Sequence, residues 1–133
     1  MLRISKLADY ATLIMAYAAR TPDMPLTAKK TASDLGLQYP TVSKILKRLA
    51  KANLLISMRG AQGGYQLAHV PTEINIAEII SVMDGPIALT KCSHVLLHCT
   101  LSQNCTTKNN WQSINQIIYE KLAEVSLADM VNL

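Results

Sequence analysis

Apolar and polar positions alternate with a helical period from the start of the chain. Between Leu2 and Arg20, the residues Leu7, Tyr10, Ala11, Ile14, Tyr17 and Ala18 recur at spacings of three and four, which predicts an amphipathic helix. Pro22 and Pro25 in "TPDMP" stop it, because proline cannot continue the hydrogen-bond ladder. Thr27 then offers an N-cap to a short helix, "AKKTASDL", whose Ala28, Ala32 and Leu35 face one way and which Gly36 ends. A second helix, "TVSKILKRLAKAN", follows with Pro40 in its first turn, where a missing N–H costs nothing. It sorts its residues between two faces. Val42, Ile45, Leu46 and Leu49 must face a core, and Lys44, Lys47, Arg48 and Lys51 repeat the same spacing on the other side.

Two short helices joined by a tight glycine-containing turn, the second basic on its outer face, describe a helix-turn-helix with its recognition helix. The runs "LLISMR" and "YQLAHV" have strand character, and "GAQGG" between them supplies the glycines of a hairpin bend. A hairpin directly after a recognition helix is a wing, with Arg59 placed to reach phosphates or the minor groove. "PTEINIAEIISVMDGP" reads as a loop and a helix carrying Ile76, Ile79, Ile80 and Met83, stopped by Gly85 and Pro86. The last periodic run, "NNWQSINQIIYEKLAEVSLADM", reads as one long helix with Trp111, Ile114, Ile118, Leu122 and Val125 on a stripe. In a short chain such a helix is better buried against a second subunit. The expected fold is mainly α with a small β-hairpin wing: a winged helix-turn-helix followed by a long C-terminal dimerisation helix.

Charge sharpens the picture. Residues 1–70 hold ten Lys or Arg against three Asp or Glu, whereas residues 71–133 hold three against six, so a net charge of +4 hides a basic half and an acidic half. The first half is where a polyanion would bind. A chain of 133 residues is one domain's worth. No apolar run approaches the about eighteen residues of a membrane span. "MLRISKLADY" carries Asp9 and lacks a signal peptide's apolar core and cleavage site. These features point to a soluble cytoplasmic protein without a membrane partner. There is no P-loop, dinucleotide glycine fingerprint or Cys-x-x-Cys pair, so neither an enzyme nor a small-molecule substrate is expected.

The only three cysteines, Cys92, Cys99 and Cys105, lie together in "KCSHVLLHCTLSQNC". An odd number cannot close into intrachain disulfides alone, and in a reducing compartment thiols serve as ligands more readily than as crosslinks. Gaps of six and five residues are loose for structural zinc, which usually has two to four residues between its paired cysteines, and suit a loop wrapped around an iron-sulfur cluster. Zinc stabilisation and a thiol redox switch stay open as alternatives. A cluster iron held by three thiolates wants a fourth ligand, and His94 and His98 lie in the loop, with His69 at the end of the wing.

"RGAQGGYQLA", preceded by "LKRLAKANLL" and followed by "EINIAEIISVMDGP" and the spaced cysteines, closely resembles the Rrf-two family of winged-helix transcription regulators, which includes IscR-like and NsrR-like branches. "LRISKLADYATLIMAYAA" and "NWQSINQIIYEKLAEVSLADM" look like the members that regulate the Suf iron-sulfur assembly operon. The resemblance implies a homodimeric, cluster-sensing regulator of iron-sulfur assembly genes, expected to repress, binding a double-stranded DNA operator. Its parts would be a DNA-binding domain at 1–85 with the wing at 54–69, a cluster loop at 86–107, and a dimerisation helix and tail at 108–133. Thr41, Ser43, Lys44, Lys47 and Arg48 would face DNA, with Arg59 on the wing. The family cysteines map onto Cys92, Cys99 and Cys105. The first gap is six residues where better-known members have five, which leaves nuclearity open, 2Fe-2S being placed ahead of 4Fe-4S. IscR-like members take a histidine shortly after the third cysteine as fourth ligand, but "CTTKNNWQ" has none. NsrR-like members use an acidic residue of the other subunit's first helix, and Asp9 in "KLADYA" matches it. Asp9 is therefore expected ahead of His98 and His94.

Overall fold

A computed structural model of the chain describes residues 2–132. Helix α1 (Lys6–Arg20) begins at Ser5, whose Oγ accepts from the Ala8 N–H at 3.0 Å, so the helix starts later than the apolar pattern from Leu2 indicated. Helix α2 (Ala28–Leu35) is capped by Thr27 and closed by Gly36 in the left-handed conformation at φ 66°. Helix α3 (Tyr39–Lys51) buries Val42, Ile45, Leu46 and Leu49, the inward set that the spacing predicted. Burial of each such side chain stabilises by about 1.5–3 kcal/mol. The Tyr17 hydroxyl of α1 donates to Asp34 of α2 at 2.5 Å, and Lys30 pairs with the same carboxylate at 3.0 Å. The first two helices are thus tied on their outer side.

The wing is an antiparallel hairpin of β1 (Leu55–Met58) and β2 (Gly64–Leu67), with Leu55 opposite Leu67 and Met58 opposite Gly64. A third segment joins it. Leu26, between α1 and α2, exchanges both backbone hydrogen bonds with Tyr65 at 2.7 and 2.8 Å, which pins the hairpin onto the helices. Helix α4 (Ile76–Asp84) opens on a capping box of Asn75 and Glu78 and ends at Gly85, φ 79°. Within the following segment, residues Lys91–Ser93 form a single 3-10 turn.

The long terminal helix expected from the periodicity is two helices, α5 (Lys108–Glu124) and α6 (Leu127–Val131). The break has a local and a distant cause. Ser126 and Asp129 form a capping box that starts α6, while Ile76 N–H donates to Val125 O at 3.0 Å and Leu127 N–H to Ile74 O at 2.7 Å. Leu127 and Val131 then join Ile14, Met15, Ile45, Leu46 and Ile79 in one core, so α6 packs back onto the winged helix-turn-helix. Helix α5 has no fully buried residue of its own. Among the described residues no helix is long and apolar enough to cross a membrane.

Candidate nucleic-acid interface and cysteine segment

From Leu35 to Thr72 the chain carries Lys44, Lys47, Arg48, Lys51 and Arg59 and no Asp or Glu. This stretch forms the recognition helix and the wing. Lys44, Lys47 and Lys51 are exposed, as is Arg59 in the hairpin bend, while Thr41 and Ser43 are half-buried along the first turns of α3. A stretch of this kind favours phosphates, since it carries no acidic side chain to repel them. Tyr39 opens α3 and is exposed, a candidate DNA-facing side chain that the pattern of the sequence hides because an aromatic ring resembles a core residue. Arg48 behaves differently from its lysine neighbours. It is half-buried, and its Nη1 donates to the Met83 carbonyl at 3.5 Å, in the last turn of α4.

The segment from Pro86 to Thr107 hangs between α4 and α5 and is held from the α5 side. Asn115 accepts from Leu89 N–H at 2.8 Å and donates to Ile87 O at 3.0 Å, and Gln112 donates to Cys92 O at 2.9 Å. All three cysteines are free and half-buried. Cys92 Sγ lies 3.0 Å from Thr90 Oγ1 and Cys105 Sγ 3.5 Å from Thr107 Oγ1. The Thr107 hydroxyl, helped by backbone N–H groups at the start of α5 and by Lys108, holds the Cys105 thiol below its ordinary pKa, toward the thiolate form that binds metal. His94 accepts from Leu96 N–H at 3.1 Å through Nδ1, His98 is exposed, and His69 is exposed beyond β2. Asp9 is exposed on the first turn of α1.

The donor chemistry fits a thiolate-bound iron group: three reduced, partly accessible sulfurs on one segment, one of them biased toward thiolate. Among the described residues, however, no group of three or more His, Cys, Asp or Glu lies together where it could hold a metal ion. The structure does not bring Asp9, His94 or His98 together with all three sulfurs.

Residues 4–133 match the family model for Rrf2, described as an iron-dependent transcriptional regulator. The structure of IscR from T. potens superposes with a TM-score of 0.75 at 32% identity, covering 98% of this chain and 87% of that one. CymR, the global cysteine regulator of B. subtilis, gives the same TM-score, 0.75, at 28% identity, covering 99% and 98%. The regulator NsrR of Oceanobacillus iheyensis is 26% identical over 98% of this chain and 90% of its own length. These relatives are transcriptional regulators and not enzymes, and the fold they share is a winged helix. With a basic recognition helix, a wing pinned to the helical body and a match running from residue 4 to residue 133, the chain belongs to the Rrf2 family of DNA-binding transcription regulators.

Proposed function

We propose that this protein is a homodimeric, iron-sulfur-cluster-sensing repressor of iron-sulfur assembly genes, with residues 1–85 binding DNA, 86–107 holding the cluster and 108–133 providing the dimer helix and tail. The observation that carries this reading is the attachment of three free thiols, through Pro86 to Thr107, to the last turn of α4 at one end and the first turn of α5 at the other. Binding would gather Cys92, Cys99 and Cys105, and Asp9 of a second copy would complete the set. A bound 2Fe-2S or 4Fe-4S group would supply oxidant-sensitive iron, and its loss would be the signal. The family's iron-dependent description and the likeness to IscR and NsrR support this over the cysteine regulator's precedent.

Anaerobic purification tests the proposal directly. A brown protein with visible charge-transfer absorption and equimolar iron and sulfide is expected. Colourless protein with stoichiometric zinc after attempted cluster reconstitution would overturn it in favour of a zinc-stabilised or thiol-switched regulator.

Thr41, Ser43, Lys44 and Lys47 on α3, with Arg59 on the wing, are proposed to face DNA, while Arg48, expected among them, donates to Met83 O. Replacing Lys44 and Lys47 by alanine should weaken operator binding and lower the salt dependence by about 0.9 in logarithmic slope for each phosphate left without its lysine. Affinity and slope equal to wild type in the double variant would remove α3 from the interface.

The fourth ligand separates by lifetime. Carboxylate oxygen is a harder donor than thiolate, so an iron held by Asp9 as well as by cysteine thiolate would be lost more readily than one held by thiolates alone. Asp9→Ala should leave folding intact and hasten cluster bleaching in air, while His98→Ala should change little. Retention of the spectrum and lifetime by the Asp9 variant, with their loss in the His98 variant, would place the ligand inside the loop.

A further inference from the structure

The last turn of α4 carries two polar attachments on consecutive residues. Met83 O, one of the carbonyls that a helix end leaves without an intrahelical partner, accepts from Arg48 of the recognition helix at 3.5 Å. The Asp84 carboxylate accepts from the Ser5 N–H at 3.1 Å and from the Ser5 hydroxyl, whose oxygen in turn caps α1 through Ala8 N–H at 3.0 Å. Gly85 and Pro86 follow immediately and lead into the cysteine segment, where Ile87 O and Leu89 N–H are gripped by Asn115. The start of α1, the cysteine segment and the recognition helix therefore converge on Met83, Asp84 and Gly85.

We propose that Arg48 is a positioning residue and that the Met83–Asp84 turn is the joint through which the α1 N-terminus and the cysteine segment set the angle of α3 on DNA. The physical case rests on where its guanidinium is spent. Arg48 shares the spacing of Lys44 and Lys47, yet it is half-buried and reaches toward the carbonyl end of α4, where the helix dipole favours a cation. An arginine held there is turned away from the phosphate-facing side on which the lysines stand exposed. Among the described residues it is the side-chain hydrogen bond that joins α3 to the end of α4, beside the apolar packing of the two helices. A displacement of that end, from either attachment, is carried to α3 by a rigid fork instead of being absorbed by a flexible side chain.

This inference rests on α3 being the recognition helix, and its test uses cluster-free protein so that it stands apart from the iron-sulfur proposal. A duplex is selected from a random-sequence pool with the wild-type protein, and its affinity and salt dependence are measured for Arg48→Met, Asp84→Ala, Ser5→Ala and the Arg48→Met/Asp84→Ala double variant, with thermal unfolding of each. Arg48→Met should lower affinity on the order of tenfold with an unchanged salt slope. Asp84→Ala should lower affinity too, although it removes a negative charge, and should add nothing in the Arg48→Met background. Ser5→Ala, which leaves Arg48 and Asp84 in place, should act in the same direction as Asp84→Ala. A slope reduced by about 0.9 in Arg48→Met, with independent effects in the double variant, would make Arg48 a phosphate ligand and overturn the joint. If Arg48→Met fails to fold, Asp84→Ala and Ser5→Ala decide: wild-type affinity in both overturns the proposal. Wild-type protein that enriches no sequence would overturn the DNA reading of α3 and this inference with it.

Discussion

Replacing Ile114 and Ile117 by glutamate should turn the protein into a folded monomer and weaken operator binding by about 10²–10⁴-fold. The exposed face of α5 is the reason. Trp111, Ile114 and Ile117, three residues apart along one side, are 42%, 42% and 57% exposed, whereas Leu122, further along the same helix, packs inward against its own chain. A helix so apolar on its open side is stable in water when a second copy covers it, and two-fold pairing of α5 is the simplest closed arrangement. Two recognition helices carried by one dimer meet half-sites about 34 Å apart, and engagement of the second half-site is then intramolecular. Because neither isoleucine is part of the core, the winged domain of the variant should keep its thermal unfolding midpoint. Sedimentation velocity and DNA titration read both quantities. A dimer with wild-type affinity would take α5 out of the subunit interface.

Gly64→Ala should cost about 2–4 kcal/mol and lower the unfolding midpoint on the order of 10 °C. A Cβ built on Gly64 would stand 2.5 Å from the Leu26 carbonyl oxygen and 3.1 Å from its carbon, both backbone atoms that cannot swing aside. Its φ of 154° adds strain for any L side chain. To relieve the clash the hairpin must leave the Leu26 segment and surrender the bonds that Tyr65 makes there, which frees the wing that carries Arg59. DNA affinity should fall with stability. Gly60→Ala is the control, since Gly60 has positive φ at 110° but no atom within 4 Å of the added carbon. Equal losses in the two variants would show that the close approach to Leu26 contributes nothing.

The elements that the sequence determined by itself are those whose limits and faces depend on near neighbours. Helix α2 runs from Ala28 to Leu35 as its pattern predicted, because Thr27 and Gly36 cap it from within the same few residues. The inward face of α3 was legible for a similar reason: a spacing of three and four places Val42, Ile45, Leu46 and Leu49 on one side whatever covers them. The wing's glycines and the grouping of the three cysteines were equally local. Tertiary structure decided everything that needed a distant partner. The apolar stripe of the last helix continues past Val125; Ser126 and Asp129 offer a local start for α6, but the pairing of Val125 and Leu127 with the backbone around Ile74 and Ile76 is what turns α6 back into the core. The Leu26–Tyr65 pairing, which seats the wing, leaves no periodic trace in a segment between two prolines and a cap. Arg48 is indistinguishable from Lys44 and Lys47 by spacing; what turns its guanidinium inward is a carbonyl 35 residues away at the end of α4. Periodicity reports which side of a helix is apolar, but the direction of a long charged side chain is set by whatever acceptor the rest of the fold brings within its reach.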